Sequence, residues 1–151
     1  MNERRQSGVM LLEALIAILV FSLGILTVIG IQATSIRMAA DAQLRSKAAL
    51  LADRLVGQMW ASGGDIAKLK TEFGSPDGVA YQTWLKAVRG AEGLPGIPDS
   101  PGDMAPVVTV DDSSTAYGQV IIKLYWRTPS MPADEPPHQH VIVSQISRNP
   151  S

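Results

Sequence analysis

The chain is 151 residues long, with 46% hydrophobic residues, 18% charged residues and a formal net charge of −1. That length holds one domain, or one membrane anchor with one small domain, and the near-neutral balance lacks the basic footprint that a nucleic-acid partner demands. There is no cysteine, which excludes a disulfide framework, thiolate chemistry and a lipid-modified cysteine as an anchor.

The apolar residues gather between Val9 and Ile31, and from Ala14 to Ile31 nothing is charged. A run of about 18 such residues crosses a bilayer as a helix, because a helix bonds every backbone group internally. Arg4 and Arg5 precede the run. By the positive-inside tendency the N-terminus stays cytoplasmic, and everything after Gln32 lies beyond the cytoplasmic membrane. A cleavable secretory signal fits poorly, since the apolar core is too long and no small-x-small site follows it. A plain signal anchor fits the length but leaves Glu13 without a reason. An ionised carboxylate at membrane depth costs about 2.5–3.5 kcal/mol and by default marks function. The apolar run offers no cation to meet it. Cutting the chain after Gly8 creates one, the free amine of Val9, one helical turn from Glu13.

The stretch RRQSG followed by VMLLE resembles the class III signal of type IV prepilins, in which a short basic leader ends in Gly and Glu is the fifth residue of the mature chain. Val9 stands where that family most often has Phe. The resemblance implies that an inner-membrane prepilin peptidase cuts after Gly8 and methylates Val9. It also implies that Glu13 pairs with the N-terminal amine of a neighbouring subunit, and that Arg4 and Arg5 are the basic residues of the leader. Such a pair spares two lone charges in hydrocarbon and can act as a register device. Loss of the leader, with Glu3, Arg4 and Arg5, takes the net charge from −1 to −2.

No proline occurs before Pro76. Beyond the apolar run, Ile36, Ala40, Leu44, Leu51, Leu55 and Met59 recur every three, four or seven residues, with Arg37, Asp41, Arg45, Lys47, Asp53 and Arg54 largely on other faces. The pattern predicts one helix from Val9 to Ser62, roughly 80 Å long at 1.5 Å per residue, stopped by Gly63-Gly64. Its first half belongs in membrane or fibre core, and its second half packs against a globular domain. A free coiled coil is the alternative for the second half, but sustained heptads are missing. Gly24 and Gly30 read equally as close-contact sites and as ordinary membrane-helix glycines. The chain thus divides into a leader (1–8), an apolar transmembrane or assembly helix (9–31), an amphipathic helix (32–62) and a small head (63–151).

In the head, Asp65 to Phe73 and Ala80 to Arg89 read as short helices, the second closed by Gly90. LPGIPDSPGDMAP is a loop on composition. Val107 to Val110 and Gln119 to Trp126 are β-rich, with Val120, Ile122, Leu124 and Trp126 alternating against Ile121, Lys123 and Tyr125. After a Pro-rich connection, His140 to Ile146 is a further strand, predicted to pair with Gln119–Trp126 as an antiparallel hairpin. A sheet this small needs the long helix for its core.

The order SLGILTVIGIQ, SKAALLADRLVGQMWAS, YQTWLKAVRGAEGLPG and IIKLYWR is similar to that of PilV-type minor pilins. The resemblance implies an α+β type IV pilin fold. It further implies a structural subunit, with no enzymatic activity or cofactor, that primes or supports pilus assembly and so adhesion or twitching motility. Its implied partners are the prepilin peptidase, other minor pilins, the major pilin, the inner-membrane assembly platform and the lipid bilayer. The usual pilin C-terminal disulfide cannot form here.

Other chemistry is weaker. His138 and His140 share a strand face, but two histidines without a third ligand read as a solvated loop end rather than a metal site. Asp111-Asp112 before Ser113-Ser114 reads as a turn rather than a calcium site. No phosphate loop or nucleophile elbow is present. Trp60, Trp84 and Trp126 read as packing residues between helix and sheet. Two alternatives stay open: a minor pseudopilin of a type II secretion system, and a membrane-anchored binding domain with an uncut anchor.

Overall fold

The computed structural model describes residues 3–63, 65–98, 102, 104–113 and 117–147, with side chains from Gly8 onward. It is α+β: α1 (Glu3–Ala61), α2 (Ile66–Phe73), α3 (Val79–Arg89) and three strands, β1 (Val107–Asp111), β2 (Tyr117–Trp126) and β3 (His138–Ser147). The chain divides into two compact units, Met1–Ala42 and Gln43–Ser151. The helix starts earlier than the expected Val9, because Glu3 to Ser7 contains no breaker and a lone Gly8 costs only about 1 kcal/mol against Ala.

In the second unit the sheet has the order β1-β2-β3, antiparallel throughout. Val108 faces Ile122 across β1 and β2, and Ile122 faces Ile142 across β2 and β3. The expected alternation in β2 is present, with Val120, Ile122, Leu124 and Trp126 buried on one face. That face joins one core with Leu69, Phe73, Tyr81, Trp84, Leu85 and Val88 of the short helices. From α1 the same core takes Ala48, Ala52, Leu55 and Met59, all 0% exposed.

The expected stripe on α1 needs correction at its N-terminal end. Ile36 is 70% exposed and Ala40 is exposed; burial begins with half-buried Leu44 and continues through Ala48 and Ala52. The stripe that packs is thus spaced by fours and threes around two alanines, whose small side chains admit close neighbours. Of the three tryptophans expected to pack, with room for one exposed at an inter-subunit contact, Trp84 and Trp126 are buried and Trp60 is 48% exposed.

Local chemistry explains the boundaries. Gly63 takes φ +91°, the left-handed turn that ends α1; its neighbour Gly64 lies outside the described residues. Asp65 caps α2 by accepting from the N–H groups of Ala67 and Lys68 at 3.1 and 3.4 Å. Gly118 lies close under α2, where a Cβ would meet Ile66 Cγ2 at 3.2 Å, a tight contact. α3 is tied to α1 by the Trp84 indole, which donates to the Leu51 carbonyl at 2.8 Å. It is tied to the loop before β1 by the Tyr81 hydroxyl, which donates to the Pro106 carbonyl at 2.7 Å. That loop was expected from composition, yet Leu94 and Pro106 within it are buried.

Two predictions follow from this packing. Leu55→Ala should lower unfolding free energy by about 2–5 kcal/mol through a core cavity, while Ile36→Ala should stay within about 0.5 kcal/mol, both read from denaturant unfolding of the chain in detergent. Burial pushes the Tyr81 phenol above its ordinary value of 10.0, with Arg89 pulling weakly the other way. A raised folded value means stability that is complete below pH 10.0 and lost as pH rises through the folded value. Thermal melts above that pH should therefore fall more steeply for the wild-type chain than for Tyr81→Phe, which at neutral pH gives up about 1 kcal/mol of hydrogen bond.

Candidate processing and assembly site on the N-terminal helix

The sequence motif falls on one uninterrupted helix. Gly8, Val9 and Glu13 all lie within α1, and the four-residue step from Val9 to Glu13 puts them on one face, a turn apart. Arg4 and Arg5 have helical backbone, and their side chains lie outside the described set. Because the Gly8–Val9 bond is helical, a peptidase that needs extended chain must unwind the first turns. Gly8 makes that step easier, as the poorest helix former in the segment.

Every residue from Gly8 to Ala40 is exposed in the isolated chain, including Val9 at 66% and Phe21 at 70%. The apolar surface runs around the whole helix instead of forming a stripe, which is the signature of a helix built for an apolar surrounding. Its best 18-residue window has a mean hydropathy of 2.8, long and apolar enough to cross a membrane. Three hydroxyls in this stretch are satisfied within the helix. The hydroxyls of Ser22, Thr27 and Thr34 donate to the carbonyls of Ile18, Leu23 and Gly30 at 2.7, 2.9 and 3.1 Å. These three residues were not singled out from the sequence, although a hydroxyl in an apolar helix is itself the signal. Glu13, the one acidic residue between Gly8 and Ala40, has no ion pair and no hydrogen bond among the described residues.

The two glycines cut notches in this surface. A Cβ at Gly24 or Gly30 would meet nothing within 4 Å, and the flanking Phe21, Ile25 and Val28 wall the first notch. Such gaps let a neighbouring helix approach closely.

The candidate residues of the head do different work. Asp111 Oδ1 accepts from the Ser113 N–H at 2.9 Å, the expected turn, and Ser114 lies outside the described residues. Asp112 instead pairs with Lys70, whose ammonium reaches both carboxylate oxygens at 2.9 Å. The hydrogen bond from Lys70 holds the Asp112 carboxyl below its ordinary range. The pair is exposed, so its contribution is small; it is present above the ordinary carboxylate range and fades as pH falls through the lowered value. His138 packs against Trp126 with ring centroids 5.6 Å apart. Both histidines, with Trp126, Arg45 and Glu135, line a cavity of about 420 Å³. Trp126 Nε1 and His140 Nε2 are buried there without a protein partner, and groups of that kind are ordinarily met by ordered water. Among the described residues no three His, Asp or Glu side chains gather as a metal site.

No family model matches the chain, and neither a curated protein nor a solved structure matches it.

The helix chemistry predicts membrane retention that depends on uniform apolarity. The chain should stay in the membrane pellet through alkaline carbonate extraction. Leu19→Arg, which puts about 2.5–3.5 kcal/mol of insertion cost near the centre of the run, should move a large share of it to the soluble fraction or to degradation.

Proposed function

We propose that this chain is a minor pilin of the PilV type, with a type IV pilin fold. It is made as a single-pass inner-membrane precursor with its head in the periplasm. A prepilin peptidase cuts it after Gly8 and methylates Val9, and it then joins other minor pilins at the assembly platform to prime or support growth of a fibre of the major pilin. Adhesion and twitching motility are the processes that such a fibre serves.

The observation that carries this reading is the position of Glu13. It stands four residues after Val9 at the start of a run, Ala14 to Ile31, that holds no other charge and whose hydroxyls, Ser22 and Thr27, bond to carbonyls one turn back. Among the described residues no side chain answers it. The cut at Gly8 supplies a cation at the matching depth on every copy, so the carboxylate can meet the amine one turn back on its own helix or that of a neighbour. A neighbour's amine meets the carboxylate only when two helices are in one axial register, so charge neutralisation selects the register. The notches at Gly24 and Gly30 and the leftover apolar surface give van der Waals packing in the same lateral association. The unit from Gln43 onward, with the last turns of α1, forms one core of its own.

Replacement of the chromosomal copy by Glu13→Gln tests this directly. Cleavage should continue, because the Gly8–Val9 bond is untouched. Breaking a buried pair costs about 3–5 kcal/mol, so sheared surface pili and the twitching zone should both fall strongly. Normal pili with a block in protein export would assign the chain to a type II secretion pseudopilus instead. Normal pili with normal export would leave only the anchored-domain reading.

A further inference from the structure

The two edges of the sheet are treated differently. The outer edge of β1 is covered by the turn between α2 and α3: the Ser75 N–H donates to the Val108 carbonyl at 3.1 Å, and Ser75 Oγ accepts from the Val108 N–H at 3.1 Å. The outer edge of β3 has no such cover. Among the described residues, no hydrogen bond other than those of the β2 ladder reaches residues 139–147. β3 also lacks the devices that keep an edge from pairing. It runs for ten residues in unbroken register with β2, has no bulge, and contains no Pro, Lys, Arg, Asp or Glu. Val141 and Val143 are 44% and 58% exposed on its outer face.

The sequence of this edge reads almost the same in both directions: Gln139-His140-Val141-Ile142-Val143-Ser144-Gln145. An antiparallel copy placed about a two-fold at Ile142 sets Val141 opposite Val143 of the second copy, Gln139 opposite its Gln145 and His140 opposite its Ser144. Ile142 meets itself. Side chains stay on their own faces, so the two valine pairs join outside while half-buried Ile142 is covered on the core side. The neighbouring registers, centred on Val141 or Val143, each set a valine against a glutamine. The strand holds no Lys, Arg, Asp or Glu, and His140 is set opposite Ser144, so no like charges are placed opposite each other within residues 139–145.

We propose that β3 pairs with β3 of a second copy of this chain, antiparallel and centred on Ile142, joining two three-stranded sheets into one of six. A foreign strand could satisfy the backbone of this edge equally well, but only a second copy matches both faces by its own near-palindrome. The proposal does not depend on how the N-terminal helix is used.

Because the chain has no cysteine, introduced thiols report position unambiguously. Full-length Val141→Cys and Val143→Cys chains are expressed separately and together in host membranes, oxidised mildly and run on non-reducing gels. Opposed residues lie about 4.5–5.5 Å apart at Cβ and diagonal ones about 7–8 Å, so co-expression should give several-fold more covalent dimer than either variant alone. Thr109→Cys, on β1, sets the collision background. A second test uses Gln139→Cys with Gln145→Cys as reporters, which should also cross-link, and adds Val141→Glu and Val143→Glu. Both valines are exposed, so the head stays folded, as its thermal melt would confirm, while opposed carboxylates should return the dimer to background. Equal cross-linking of Val141→Cys alone, background levels in the mixture, or a dimer that survives the glutamates would overturn the proposal.

Discussion

A three-stranded sheet buries one face only if something else in the chain can cover it, and this requirement organises the globular unit. Val108, Val120, Ile122, Leu124 and Trp126 need an apolar roof, and α2 and α3, of 8 and 11 residues, supply part of it. The final turns of α1 supply the rest through Ala48, Ala52, Leu55 and Met59. The helix is therefore two objects in sequence. Its last part is amphipathic and built into a core, and its first part is apolar on every side with nothing of its own chain to cover it. An apolar surface that size is stable only in a bilayer or against other helices.

Much of this was legible in the residues. The period-two alternation of β2 is strict, so its buried set followed at once. Helix stops were marked by glycine, and Asp65 stands at the cap of α2. What the pattern did not reveal was where along α1 burial begins. Ile36 and Ala40 obey the same spacing as Leu55, and periodicity cannot say which turns of a helix find a roof. Trp60 follows buried Met59 on the same turn but lies on the other side of the helix, and residue type alone did not say which of the three tryptophans would be the exposed one. The pairing of Lys70 with Asp112 spans 42 residues and had no local signal. The bond from Trp84 to the Leu51 carbonyl is equally non-local.

The processing motif is a different case. It was legible because its chemistry is local: Gly8, Val9 and Glu13 lie within six residues, and a helix fixes their mutual geometry whatever the rest of the chain does. The structure adds the contrast that gives the motif meaning. The hydroxyls of Ser22, Thr27 and Thr34 are satisfied by carbonyls one turn back, whereas Glu13 has no partner among the described residues. A head with a closed core, joined to a helix with one unanswered carboxylate, suits a subunit that is added to a fibre by its helix.

The central claim is that a new N-terminus is made at Val9 to meet Glu13, and the most direct measurement is the N-terminal mass of the native protein from its host, with and without the prepilin peptidase. The account predicts a peptidase-dependent species that begins at Val9 and is heavier by one methyl group. A chain that keeps its Met1 end in both strains would contradict it, because Glu13 would then have no new amine to meet.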